Sequence, residues 1–314
     1  MRALGVVVLV VAGCGRIGFD APGAPIDVTT AGDARDGAPL CSPGWCLESS
    51  TVTDDLAGVW GTSATDLWAV GGGGTLVHRT AGGWTRIDSG ASTNFLSAWG
   101  ASASDVWAFG DTGAAHWNGS AWSPRTIASS LLHGAWGFSG SDIWVAGGGP
   151  PVVSHFTGGA WISTPPATVV DWSGIWGAAP NDIWCVGDSG TIVHWNGAAW
   201  SAPVPSNTGR SLFAIHGIAA NDIWVAASFG TILHYNGTTW STVPTPVGED
   251  LVGVFQISHD EVYASGGQGT LIRWNGTTWS EVDPGTSRYL AAPWGAGGEV
   301  FVVGGVGTVI RRPF

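Results

Sequence analysis

Residues 174–200 read GIWGAAPNDIWCVGDSGTIVHWNGAAW, and this pattern recurs in six copies along the chain. Trp-Gly opens each copy, or stands where an equivalent pair does. Asp-hydrophobe-Trp follows after a short gap, then a Gly-rich turn, a segment carrying His or Arg, and a closing Trp. A seventh copy stops short of its last Trp. The acid at the head of each second segment falls at Asp66, Asp105, Asp142, Asp182, Asp222, Glu261 and Glu299, at spacings of 39, 37, 40, 40, 39 and 38 residues. Periods of that length mark radial arrays of four-stranded units.

The quoted copy predicts its own strands. Gly174 to Gly177 is a short first strand, and 178–182 turns the chain. Ile183 to Val186 is a second strand, ended by the tight turn Gly187-Asp188-Ser189-Gly190. Thr191 to Trp195 is a third, and Asn196-Gly197 is a strong hairpin signal because both residues tolerate positive φ. Ala199-Trp200-Ser201 opens the fourth. Four antiparallel strands at this period read as a propeller blade. The seventh copy lacks its outer strand, and Gly44-Trp45-Cys46-Leu47-Glu48-Ser49 matches the outer-strand pattern of Gly276 to Glu281. The expected architecture is therefore all-β: a seven-bladed β-propeller over 45–314, with four antiparallel strands per blade and an N-terminal strand completing the last one. That closure removes two free sheet edges.

The tryptophans follow the same period. First-strand aromatics are Trp60, Trp99, Trp136, Trp176, Phe255 and Trp294, with His216 as the seventh. Twenty of the 21 Trp fall on repeat positions and Trp172 falls outside them. Each buried Trp removes about 150–250 Å² from water, or roughly 4–6 kcal/mol at about 25 cal/mol per Å². Residues that recur in every blade read as core rather than as ligand platforms.

The pattern Trp-Gly-x5-Asp-Ile-Trp-Val-Ala-Gly … Gly-Thr-Ile-x-His-Trp-Asn-Gly-x2-Trp resembles the Trp-rich propeller repeats of bacterial surface lipoproteins. It is similar more distantly to the photosystem-assembly-type propellers and the BNR/Asp-box repeats. The resemblance covers 45–314 and implies the fold. Those groups include adhesins, assembly factors, lectins and glycosidases, so it leaves the activity open.

The N-terminal segment reads as an export signal, with Arg2 before the apolar run Ala3 to Val11. Val11-Ala12-Gly13-Cys14 resembles a bacterial lipobox, which implies a signal peptide over 1–13, cleavage before Cys14 and lipidation of that residue. Gly15 after the Cys implies an outer-membrane destination in the bacterial envelope. Residues 14–44 shift to Ala, Gly, Pro and Asp and read as a lipid-anchored flexible tether, with Asp27, Asp33 and Asp36 as solvated linker charge. Cys41 and Cys46 are expected to form a disulfide, and Cys185 to be a core thiol.

Eleven Arg, no Lys and 23 acids give a net charge of −12. That leaves no basic footprint for nucleic acid, and none for anionic lipid beyond the anchor at Cys14. His78, His116, His155, His194 and His234 share one third-strand position, where neighbouring blades diverge too far to share a metal. They read as structural donors, replaced by Arg273 and Arg311 in the last two copies. No metal and no cofactor is expected.

What departs from the repeat lies in the connections into each first strand. They carry His133, Asp171, Trp172, Arg210, Asp250, Arg288 and Tyr289, the expected ligand-binding set near the channel mouth. The resulting expectation is a noncatalytic, monomeric module that binds a protein partner of the envelope or outside it. A lectin for surface or matrix polysaccharide is the alternative, and an exposed Trp172 would favour it. A glycosidase or lyase is the third reading; it needs two carboxylates about 5–10 Å apart, for which Asp171 and Asp250 are the candidates.

Overall fold

The structure is a computed structural model that describes residues 40–42, 44–127, 130–149, 152–296 and 298–313. The expected signal peptide, the lipidation site Cys14 and the linker acids lie outside the described residues. Seven antiparallel sheets form the blades, with inner strands beginning at Leu56, Phe95, Leu132, Trp172, Leu212, Leu251 and Leu290. Blades 1 to 6 span 56–87, 95–125, 132–163, 172–200, 212–243 and 251–281. Blade 7 combines 290–313 with Trp45–Ser49, which pairs antiparallel to Thr308–Pro313. The fold is thus a seven-bladed β-propeller closed by an N-terminal strand. The outer segment of blade 4 joins its third strand by a Trp195–Trp200 bridge and by Ser201 N–H to His194 O and Val204 N–H to Ile192 O, both at 2.8 Å, while Pro203 between them supplies no N–H.

The Trp-Gly pair has a steric reason. A Cβ on Gly100 would lie 2.6 Å from the ring of Trp60, and one on Gly137 would lie 2.6 Å from Trp99. Trp60, Trp99 and Trp176 therefore each lie across the glycine of the following blade, whereas Gly177 meets Phe138 instead. Another exception is complementary: His216 replaces Trp where blade 6 carries Gln256 instead of Gly, and the Gln256 N–H donates to His216 Nδ1 at 3.1 Å. Burial pulls the His216 pKa down to about 3, so this ring is neutral. Trp136 meets Trp176 at 5.9 Å and His216 at 5.8 Å, so aromatic rings from blades 3, 4 and 5 crowd the channel.

The repeated acid and His are a cross-strand device. His78, His116, His155, His194 and His234 each place Nε2 at 2.6–2.8 Å from the carboxylate of Asp66, Asp105, Asp142, Asp182 and Asp222 in their own blade. Each imidazole also stacks on the second-strand Trp, as His78 does on Trp68 at 4.0 Å. Glu261–Arg273 and Glu299–Arg311 repeat the pairing in blades 6 and 7. The structural reading of these histidines holds.

Ring closure rests on Glu48. Its carboxylate accepts from Arg79 Nε and Nη2, both at 3.0 Å, and from Trp84 Nε1 at 2.8 Å, and it forms an ion pair with Arg311, whose Nε lies 2.8 Å away, so it ties blade 7 to blade 1. Burial by itself raises the Glu48 pKa, but the Arg79 and Trp84 hydrogen bonds and the two guanidinium charges outweigh it and hold the group below its ordinary value. Leu40–Ser42 adds a short fifth strand, in which Cys41 faces Cys46 in register and is joined to it by a disulfide. Cys185 is buried and unbridged, and burial pushes its thiol up.

Candidate functional site

Two sets of loops share one face. The carbonyl before each inner strand accepts from the first N–H of its blade's second-to-third-strand turn, as in Gly72 N–H to Asp55 O at 2.9 Å and Gly305 N–H to Tyr289 O at 2.9 Å. The connections into the inner strands therefore lie beside these turns at the channel mouth. The opposite face carries hairpins whose Asn side chains close their own turns; Asn118 Oδ1 accepts from Ser120 and Ala121 at 3.0 Å.

Most of the turns put their middle residue in the left-handed region. Glycine occupies that position in Gly73 and Gly149, where it costs little. Phe229 and Val306 adopt it at φ 56° and 54°, while 64% and 48% exposed respectively. A bulky or β-branched residue in that region is an outlier and persists only where its surroundings hold it. Here the hold is visible. The Phe229 N–H donates to Asp250 Oδ1 at 2.8 Å, and the Val306 N–H to Asp55 Oδ1 at 2.7 Å. Leu131, at φ 53° and partly exposed, adds a third apolar residue on this face.

The expected site residues fall into three groups. Arg210 lies over the exposed Phe229 ring at 4.4 Å, and Asp250 holds that turn from the next blade. Arg288 donates to Val306 O at 3.3 Å beside Tyr289, whose phenol is pushed well above its ordinary pKa by burial and by the charges of Asp250 and Asp55. His133 is half-buried near Asp171 and Asp188, and its Nδ1 has no hydrogen-bond partner among the described residues. Burial lowers its pKa and the two carboxylates restore only part of the loss.

Trp172 does not belong with them. It is 1% exposed and pairs with Gly187 just as Leu56 pairs with Gly71 and Leu212 with Ala227. It is the core hydrophobe that opens the blade 4 inner strand, so all 21 Trp occupy repeat positions. Phe229 and Val306 escape sequence reasoning because the variable connections draw attention away from the short second-to-third-strand turns. The available signal is an apolar residue between small ones, Ser228-Phe229-Gly230 and Gly305-Val306-Gly307.

No protein-family model and no curated protein matches the chain. Among solved structures it is similar to YCF48 bound to D1 peptide (TM-score 0.70, 16% identity, 88% of this chain and 97% of that one). It is also similar to virginiamycin B lyase from Staphylococcus aureus (TM-score 0.75, 12% identity, 86% and 99%). A third is the WD40 beta propeller domain of Doa1 (TM-score 0.70, 11% identity, 84% and 96%). At these identities the likeness is one of fold.

Proposed function

We propose that this chain is a noncatalytic binding module that engages a protein partner through its loop-rich face, displayed on the bacterial envelope, at the outer membrane, by lipidated Cys14. The observation that carries the reading is the pair Phe229 and Val306. Each is apolar, exposed and held in a conformation that costs about 1–2 kcal/mol for a residue with a Cβ. A fold that needed only a turn there would do better with the glycine of blades 1 and 3. Aromatic anchors with an adjacent Arg are the usual chemistry of interface centres. The structural relative YCF48 with its bound peptide supports a peptide or protein as the class of partner.

The lectin reading loses its anchor at this face, since Trp172 is buried. The glycosidase or lyase reading is not favoured by the placement of its two candidates, with Asp171 beside His133 and Asp250 holding the Phe229 turn. The test is capture from envelope and matrix extract on the immobilised full chain, with eluates analysed for protein and for carbohydrate. A protein enriched on wild type and lost on the Phe229→Gly, Val306→Gly double variant supports the reading. Equal capture by both chains, or no protein capture at all, overturns it.

A further inference from the structure

A cleft of about 440 Å³ lies between blades 2 and 3. That volume falls in the roughly 300–1,000 Å³ range of small-molecule sites. Three departures from the repeat meet there. Arg125 stands where Ile87, Val243 and Val282 pack against the outer-strand Trp of the next blade. Gly140 stands where other copies carry Ala103, Ala220 or His259, and Gly159, like Gly82 of blade 1, stands where blades 2, 4, 5 and 6 carry Ser120, Ala198, Thr238 and Thr277. Trp161 is half-buried, as is Trp200 in blade 4, while Trp122, Trp240 and Trp279 at the same position are buried.

The cleft's chemistry is mixed. Arg125 has an exposed guanidinium with no carboxylate partner among the described residues. Asp105 gives one oxygen to His116 at 2.8 Å, while its other oxygen faces Gly140, where any Cβ would overlap it. Trp161 and Trp107 supply an apolar wall. A ligand must therefore bring an anionic group for the Arg125 fork, O–H donors for Asp105 and an apolar ring face for the indoles. An inorganic anion has the first feature only, and Asp105 would repel it. A plain sugar lacks the charge that would satisfy Arg125.

We propose that this cleft binds a sugar ring bearing a carboxylate, a uronic acid, with Arg125 on the carboxylate, Asp105 on the ring hydroxyls and Trp161 against the ring's C–H face. The site includes neither Phe229 nor Val306, the pair that carries the binding-face reading, so the two readings fail separately. The test is calorimetric titration of the full chain with glucuronic acid, galacturonic acid, glucose and phenylalanine, on wild type and Arg125→Ile. The variant installs the residue of blade 1, which fits the repeat. A second variant, Gly159→Thr, narrows the cleft with the residue of blades 5 and 6 and decides the matter should Arg125→Ile misfold. The expected result is binding of at least one uronic acid, at least tenfold weaker binding of glucose, and at least a tenfold loss in either variant. No uronic acid binding, equal binding of glucose, tighter binding of phenylalanine, or unchanged affinity in the folded variants would overturn the proposal.

Discussion

Replacing Glu48 by Ala should open the ring at its seam. The Glu48 side chain is 13% exposed and its main partner Arg79 is 12% exposed, so the pair is largely shielded from water. Removing one partner of a buried pair leaves the other charge uncompensated and costs about 3–5 kcal/mol. Arg79 is left in that position, although Arg311 retains Glu299 at 2.7 Å, so the lower end, about 3 kcal/mol, applies. At roughly 2–4 °C per kcal/mol for a domain of this size, the melting temperature should fall by about 6–12 °C. The pH dependence follows from the depressed Glu48 pKa. A carboxyl whose folded pKa lies below its unfolded value, near 4.3, gives stability that is present above that value and is lost as pH falls through the folded pKa. The gap between wild type and Glu48→Ala should therefore be constant from about pH 6 to 8 and narrow below about pH 4. Calorimetric melts of both chains across that range provide the assay. A variant melting within about 1 °C of wild type at neutral pH, or a gap that widens in acid, would refute the reasoning.

Four further outcomes are expected. Gly100→Ala forces a methyl against the Trp60 ring and should cost about 1–3 kcal/mol in denaturant unfolding. His216→Trp should destabilise the wild-type chain but much less in a Gln256→Gly background, with a coupling of at least about 1 kcal/mol in a double-mutant cycle. The His259 pKa is raised by its hydrogen bond to Asp222 and by that residue's charge, so its favourable link is complete below the unfolded pKa and fades as pH rises through the folded one. NMR titration should show that pKa fall in Asp222→Asn. Phe229→Gly removes a left-handed penalty of about 1–2 kcal/mol and adds glycine's entropy cost of roughly 0.5–1, so thermal melts should show stability unchanged or slightly raised while partner capture is lost.

The legible part of this protein is what the repeat states more than once. Trp-Gly announces an indole lying over a glycine, and the Asp and His of each copy announce a bond between neighbouring strands. Closure was legible because Trp45 fits a slot that the seventh copy leaves empty. Trp172 misled because it stands where five blades carry Leu (Leu56, Leu132, Leu212, Leu251 and Leu290) and blade 2 carries Phe95. Sequence shows that exchange only after the strand register is known. The turn tips were hidden for a different reason, since nothing in Ser228-Phe229-Gly230 reveals that Asp250 holds Phe229 at positive φ. The cleft needs Arg125, Gly140 and Gly159 to be brought together from three separate segments, which only the packing of blade 2 on blade 3 accomplishes.

The most direct test of the binding face is site-specific photocrosslinking in the source cell, with a benzophenone amino acid placed at Phe229, at Val306 or at Thr238 on the opposite hairpin face. The account predicts a discrete protein adduct from positions 229 and 306 and none from 238. Adducts from 238 alone, or the same adducts from all three positions, would contradict it.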